Sequence, residues 1–122
     1  MRTIILFVLL LFLGFQAEAK YSQTCTVKYK TQKGWSKNYT VTVTFLTGSE
    51  LNEATGTYNY TGFSVYGVIF WSKGQATVIK ISSFLSCGSE VSQSCITNNI
   101  LNLNGNDQDG DKWEICTSNY CY

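Results

Sequence analysis

Apolar and polar residues alternate along much of the chain. Cys25, Val27 and Tyr29 alternate with threonine and lysine, and residues 39–45 alternate tyrosine, valine and phenylalanine with threonine. Successive side chains of a β-strand point to opposite faces, so this period of two predicts strands with one face on a core and the other in water. Gln32-Lys33-Gly34 lies between the two runs and predicts a hairpin.

Further segments are rich in β-branched and aromatic residues and predict additional strands. These segments are residues 57–60, 64–71, 77–82, 100–104 and 112–116. Helical spacing is not evident, and without proline the turns depend on glycine and asparagine. Glycines at intervals that suit such turns are Gly48, Gly62, Gly74, Gly105 and Gly110. The predicted fold is all-β, a small antiparallel β-barrel or β-sandwich of about seven or eight short strands, stapled by disulfides.

The segment from residue 63 to residue 71 is apolar on both of its predicted faces. One face carries Val65, Ile69 and Trp71. The other carries Tyr66, Val68 and Phe70. The second face therefore packs on something, which is a covering loop, a partner, or the far side of a closed barrel.

The first residues have the pattern of an export signal. Arg2 precedes an apolar run at residues 4–13, and Ala17-Glu18-Ala19 forms an A-x-A cleavage site. The run is about half of the ~20 residues that a spanning helix needs, so a membrane anchor is not expected. The chain is predicted to comprise a signal peptide at 1–19 and a single β domain at 20–122, secreted or periplasmic.

Five cysteines follow the cleavage site, and this predicts two disulfides with one thiol left over. Cys87 and Cys95 bracket a short loop, and they form one candidate pair. Cys116 and Cys121 bracket another and form the second. Cys25 is the candidate free thiol, because its strand face suits a small buried hydrophobe. Pairing of Cys25 with Cys116 or Cys121 is left open.

Charge and composition exclude several classes of function. The formal net charge is +1, which does not favour strong binding of nucleic acid or anionic lipid. The chain has no histidine, so Ser-His and Cys-His nucleophile arrangements cannot form. Carboxylates available for acid–base chemistry stand in polar, turn-like contexts, at Glu50, Glu53, Glu90 and Glu114. Neither an enzyme nor a cofactor is expected.

Lysines concentrate near the start of the mature chain, and acidic residues concentrate near its end. The simplest interpretation is two solvated segments that meet in the fold. Lys28 and Lys30 stand on alternate positions, where they would also protect an edge strand from pairing with other chains.

Asp107, Asp109 and Asp111 place three carboxylates on alternate positions, as the first half of a calcium loop does. The remainder departs from that pattern, since Lys112 stands where the turn glycine belongs and Ser118 takes the final position. The flanking residues read as strands. The preferred interpretation is therefore a β-hairpin turn around Asp109-Gly110, with weak calcium binding as the alternative.

Residues 70–78, Phe-Trp-Ser-Lys-Gly-Gln-Ala-Thr-Val, resemble the strand-turn-strand segment of the bacterial c-type lysozyme inhibitor family. The resemblance implies a small exported β-barrel that presents a lysine, here Lys73 beside Trp71, to the lysozyme cleft. A cation there pairs with the two catalytic carboxylates of the cleft. If the likeness is only local, Lys73-Gly74 is an ordinary hairpin turn.

Two functions follow from these observations. The first is an exported, non-catalytic β domain acting as a binding or surface-structural module. The alternative is a secreted or periplasmic inhibitor of c-type lysozyme that uses the turn from Trp71 to Gly74. Asn38 and Asn59 begin N-glycosylation sequons, which have meaning only in a host that glycosylates them.

Overall fold

The computed structural model describes residues 21–82, 87, 90–97 and 102–117. The predicted signal peptide at 1–19 and Cys121 lie outside the described residues. Within these described ranges, no helix has the length and apolar character required to cross a membrane.

Seven strands and two helices make up the described part of the chain. The strands are β1 (Tyr21–Thr31), β2 (Gly34–Trp35), β3 (Tyr39–Thr47), β4 (Val65–Phe70), β5 (Ala76–Ile81), β6 (Leu103–Asp107) and β7 (Lys112–Cys116). The helices are α1 (Gly48–Thr55) and α2 (Gln93–Thr97), and a 3₁₀ turn spans Ser72–Gly74. The predicted all-β class is confirmed.

The strands form a closed barrel. β1, β3, β4, β5, β6 and β7 each pair antiparallel with the next, and β7 pairs with β1. β2 continues the line of β3 along β1, but the register shifts by one residue between Lys30↔Trp35 and Val27↔Tyr39. That shift is a β-bulge. The β1–β2 hairpin extends past the pairing of β1 with β7, which ends at Tyr29↔Trp113. Of the two predicted architectures, the barrel is therefore the observed one.

Apolar side chains fill the barrel interior. They include Cys25, Val27, Val43, Phe45, Ile69, Ile79, Leu103, Trp113 and Ile115, each buried. Small barrels are filled by side chains, whereas larger barrels enclose ligands. Among the described residues, the interior of this barrel is occupied by side chains.

The outer face of β4 is covered by α1. Tyr66 and Val68 on that face pack with Leu51 of the helix in a second apolar cluster. The sequence left three possibilities for what packs on this face: a covering loop, a partner, or the far side of a barrel. The structure shows a covering segment of the same chain. The helix begins with a capping box: Glu50 N donates to the Thr47 hydroxyl at 3.1 Å, and Thr47 N donates to the Glu50 carboxylate at 2.9 Å.

Several sequence predictions are wrong in this region. The helix α1 was not predicted, and residues 57–60 do not form a strand. The segment instead runs beside α1, where the Asn52 side chain donates to the Tyr60 carbonyl and accepts from the Tyr60 amide, both at 2.9 Å. This side-chain amide replaces the neighbouring strand that a β-ladder would require.

Two glycines predicted as turns have other roles, and both concern close approach of the backbone. Gly48 opens α1, where an added Cβ would lie 1.7 Å from the carbonyl oxygen of Thr61. Gly105 lies inside β6, where a Cβ would lie 2.4 Å from the Lys80 carbonyl oxygen. The strand predicted at 100–104 is displaced along the chain to Leu103–Asp107.

The cysteines follow the predicted pattern as far as they are described. Cys87 and Cys95 form a disulfide with their Cα atoms 5.3 Å apart. Cys116 is also disulfide-bonded. Cys25 is a free thiol, and only 2% of it is exposed.

Candidate functional site

Three connections meet at one end of the barrel, because alternate connections of an up-and-down barrel lie at the same end. They are the β1–β2–β3 connection, the β4–β5 turn and the β6–β7 turn, and they fall within residues 28–39, 71–75 and 107–112. We call this region the hairpin end. It brings together the predicted partner-binding residues Trp71 and Lys73 with the three aspartates of the predicted turn.

Asp107 organises the β6–β7 turn. Its Oδ1 accepts hydrogen bonds from the backbone N–H groups of Asp109 and Asp111, each at 2.9 Å. Its Oδ2 accepts a hydrogen bond of 2.8 Å from Nε1 of the buried Trp113. Gly110 has a φ of 87°, as the glycine of a three-residue hairpin loop requires. The aspartates are therefore arranged as the preferred interpretation predicts, around a turn.

Some of the oxygens that would bind calcium at this turn already accept hydrogen bonds from the protein. One oxygen from each of Asp107, Asp109 and Asp111 lies within 4.8 Å of the others. Asp107 is 6% exposed, however, and both of its oxygens already accept hydrogen bonds from the protein. A cation would have to share or displace those bonds, which disfavours tight binding.

Gln108 joins this turn to the neighbouring strand. Its side-chain amide accepts from Val78 N at 3.0 Å and donates to the Ala76 carbonyl at 3.1 Å. The amide thus reproduces the donor and acceptor of a paired strand at the start of β5. This contact fixes the β6–β7 turn beside the β4–β5 turn.

Trp71 is anchored within the barrel. Its Nε1 donates to the buried hydroxyl of Thr77 at 2.8 Å, and its half-buried ring packs on the core. Trp71 N donates to the Gln75 carbonyl at 2.7 Å and closes the β4–β5 turn. The backbone of Lys73 forms the middle of the 3₁₀ turn, while its side chain lies outside what the structure describes.

An aromatic row crosses the barrel below these turns. The Tyr29 ring lies 5.1 Å from that of Trp113, and it stacks on Tyr39 at 6.2 Å with an interplanar angle of 10°. Tyr39 in turn meets Trp71 edge-on at 6.4 Å. Such contacts add to the stabilisation from burial, so the hairpin end rests on a rigid base.

The β1–β2 hairpin presents a basic surface, of which the sequence predicts the lysines but not Trp35. Nζ of Lys28 lies 5.1 Å from the centroid of the Trp35 ring, and Nζ of Lys30 lies 6.0 Å from it. Lys28 also approaches the Glu114 carboxylate at 3.6 Å, so the basic and acidic segments meet as expected. Lys37 lies 5.3 Å from the Tyr39 ring centroid. The sequence does not identify Trp35 as a site residue, because its contacts with the lysines depend on pairing across the hairpin.

A second surface lies at the opposite end of the barrel. An open cleft of about 460 Å³ follows α1 and the segment after it, lined by Ser49, Asn52, Glu53, Gly56, Thr57 and Tyr58. The Tyr58 side chain is 97% exposed, and the nearby Phe63 is 84% exposed. This cleft has polar walls and exposed aromatic rings, but it lacks the concentrated charge of the hairpin end.

The thiol and two of the carboxylates considered for catalysis are buried or take part in structural contacts. Burial raises the pKa of the Cys25 thiol to about 12, which suppresses the nucleophilic thiolate near neutral pH. Glu50 caps α1, and Glu114 pairs with Lys28. These carboxylates stand on different elements rather than in a shared cleft.

Comparison of the chain with models of protein families, with curated proteins and with solved structures gives no match.

Proposed function

We propose that the chain is an exported, non-catalytic β-barrel domain that acts as a binding module and contacts its ligand through the hairpin end. The observation that carries the proposal is the convergence of exposed lysines and Trp35 with two ordered turns on one rigid surface. Aromatic side chains are enriched at contact surfaces, and the rim around them is polar. The filled interior directs binding to that surface.

Export is part of the proposal. It is supported by the charged, apolar and A-x-A pattern of the first residues, and by the Cys87–Cys95 disulfide. Disulfides persist in oxidising compartments and are rare in the cytosol. A surface-structural role would use the same face to contact neighbouring molecules.

Two matched double variants test which end of the barrel binds. One removes an aromatic ring and a charge from the hairpin end, Trp35→Ala with Lys30→Gln. The other does the same at the opposite end, Tyr58→Ala with Glu53→Gln. Immobilised proteins are compared for what they retain from the native extracellular medium. Retention should be lost with the first variant and kept with the second, and the reverse result contradicts the proposal.

A second candidate function is inhibition of a c-type lysozyme. It is supported by the β4–β5 hairpin, which forms at the residues of the resemblance and holds Lys73 at a turn of the hairpin end. Inhibition assays with a Lys73 variant test this candidate.

A further inference from the structure

The β1–β2 hairpin concentrates positive charge without acidic residues of its own. Residues 28–37, which we call the basic hairpin, contain Lys28, Lys30, Lys33 and Lys37 and no aspartate or glutamate. Lys30, Lys33 and Lys37 are exposed. Glu114 lies against Lys28 and offsets one charge. A chain with a net charge of +1 thus places four of its eight lysines in this one hairpin.

Trp35 orders two of these cations. Lys28 and Lys30 stand on alternate positions of β1, so they share its outer face with Cα atoms about 7 Å apart. Trp35 pairs with Lys30 across the hairpin, and both ammonium groups lie over its indole. Attraction between a cation and an indole ring restricts long lysine side chains. The basic hairpin therefore presents preformed positive charges rather than freely moving ones.

We propose that the basic hairpin binds an anionic polysaccharide, recognised through carboxylate or sulfate groups spaced along its chain. This inference rests on the proposed function, and it specifies the ligand class and the part of the hairpin end that takes it. Complementary charge makes such a contact favourable and sensitive to salt.

Other polyanions fit the basic hairpin less well. Single-stranded nucleic acid is bound by stacking bases on open aromatic faces, but two ammonium groups already lie over Trp35. An acidic peptide adding as a strand needs a long free edge, whereas β2 has two residues.

The test titrates isotope-labelled mature protein with a sulfated heparin oligosaccharide and follows the backbone amide signals. A neutral dextran oligosaccharide of equal length and a single-stranded oligonucleotide of equal charge serve as comparisons. We expect shifts concentrated in residues 28–37 with the heparin oligosaccharide. The affinity should fall more than about tenfold for a fourfold rise in salt, as expected when several ion pairs form.

Matched variants assign the contact to the basic hairpin. Lys30→Gln with Lys33→Gln should weaken binding at least about fivefold, because two exposed ion pairs are lost. Lys80→Gln is the control, since Lys80 is an exposed lysine on β5 that bonds to Thr61 away from the hairpin. Trp35→Ala should weaken binding while leaving the net charge unchanged, which isolates the ordering role of the indole.

The inference is overturned by no saturable binding of the heparin oligosaccharide, by equal loss from Lys80→Gln, or by equal or tighter binding of the oligonucleotide. Shifts confined to the β4–β5 and β6–β7 turns would also overturn it, while leaving the hairpin end as the binding surface. The two proposals therefore fail by different results.

Discussion

Asp107 accepts a hydrogen bond of 2.8 Å from the indole Nε1 of Trp113, joining the β6–β7 turn to the barrel core. The Trp113 side chain is 1% exposed, so its N–H has no access to bulk water. A buried donor without an acceptor carries a desolvation penalty, and Asp107 removes it. The same carboxylate fixes the turn through two backbone N–H groups.

Asp107→Asn should therefore destabilise the protein. An asparagine offers one oxygen where the aspartate offers two, so its NH₂ group faces either the indole or the backbone donors. We expect the free energy of unfolding to fall by about 1–3 kcal/mol, measured by urea denaturation. Glu53→Gln removes one negative charge at an exposed position of α1 and should change the free energy of unfolding by less than about 0.5 kcal/mol. Equal losses would assign the effect to charge rather than to the hydrogen bonds.

Calcium should bind weakly or not at all at the β6–β7 turn. The Asp107 oxygens are committed to protein donors, and Lys112 adds a positive charge next to Asp111. Titration calorimetry should give no heat of binding, or a dissociation constant weaker than about 10⁻⁴ M, where extracellular calcium modules begin. Micromolar binding that is lost in Asp109→Asn would make the turn a metal site.

The strands were predictable because their period of two reflects burial on one face, and residues 112–116 form the predicted strand without displacement. Helix α1 was not predictable from periodicity, since only Gly48 and Leu51 of its residues are buried. Two buried positions do not make an apolar stripe. Its capping box, Thr47-x-x-Glu50, was the available signal. The strand predicted at residues 57–60 is wrong because it rested on aromatic and β-branched content. Such content does not reveal that the backbone there bonds to the Asn52 side chain.

The aspartates of the turn could be identified from their spacing, but their environment could not. Gln108 carries no signal in the sequence, because its two bonds to β5 depend on the barrel bringing that strand alongside. Trp35 depends likewise on its register opposite Lys30. The candidate site thus combines residues found by local pattern with residues placed by topology.

Thr47→Ala should weaken the covering helix of β4. The variant removes the acceptor for Glu50 N, and N-cap losses of this kind destabilise by about 1 kcal/mol. We expect a decrease of that size in the free energy of unfolding. Relative to the unaltered protein, amide hydrogen exchange should become faster in α1 but not in β6. Thr24→Ala, at an exposed position of β1, is the control. An unchanged stability with unchanged exchange would mean that packing of Leu51 alone holds the helix.

The Cys25 thiol should resist modification in the folded protein. It is buried and its pKa is raised to about 12, so little thiolate forms at pH 8 and reagents cannot reach it. A disulfide-exchange reagent should titrate no thiol in native protein and one thiol per chain in denaturant. Rapid labelling of native protein would contradict the buried position.

The same thiol should make the fold sensitive to high pH. In the unfolded chain it ionises near its ordinary pKa of 9.0, whereas in the folded protein it keeps its proton to about 12. The unfolded state therefore binds fewer protons above pH 9, and this contribution to stability is lost as the pH rises from 9 towards 12. Urea denaturation at pH 8 and pH 10 should show a smaller decrease for Cys25→Ala than for the unaltered protein. Identical decreases would exclude Cys25 as the cause.

Inhibition of c-type lysozyme, if present, should depend on Lys73 more than on Trp71. The Trp71 indole is bonded to Thr77 and packed on the core, so it supports the turn from within. Purified protein should slow a c-type lysozyme on cell-wall substrate, and Lys73→Ala should weaken inhibition by more than the ~1 kcal/mol of a peripheral charge, because a desolvated charge pair loses one partner. Lys80→Ala is the matched control. Trp71→Phe should instead lower the stability by about 1 kcal/mol, through the Thr77 hydroxyl that loses its donor. Absence of inhibition at micromolar protein, or inhibition unaffected by Lys73→Ala, would exclude this function and leave the binding module.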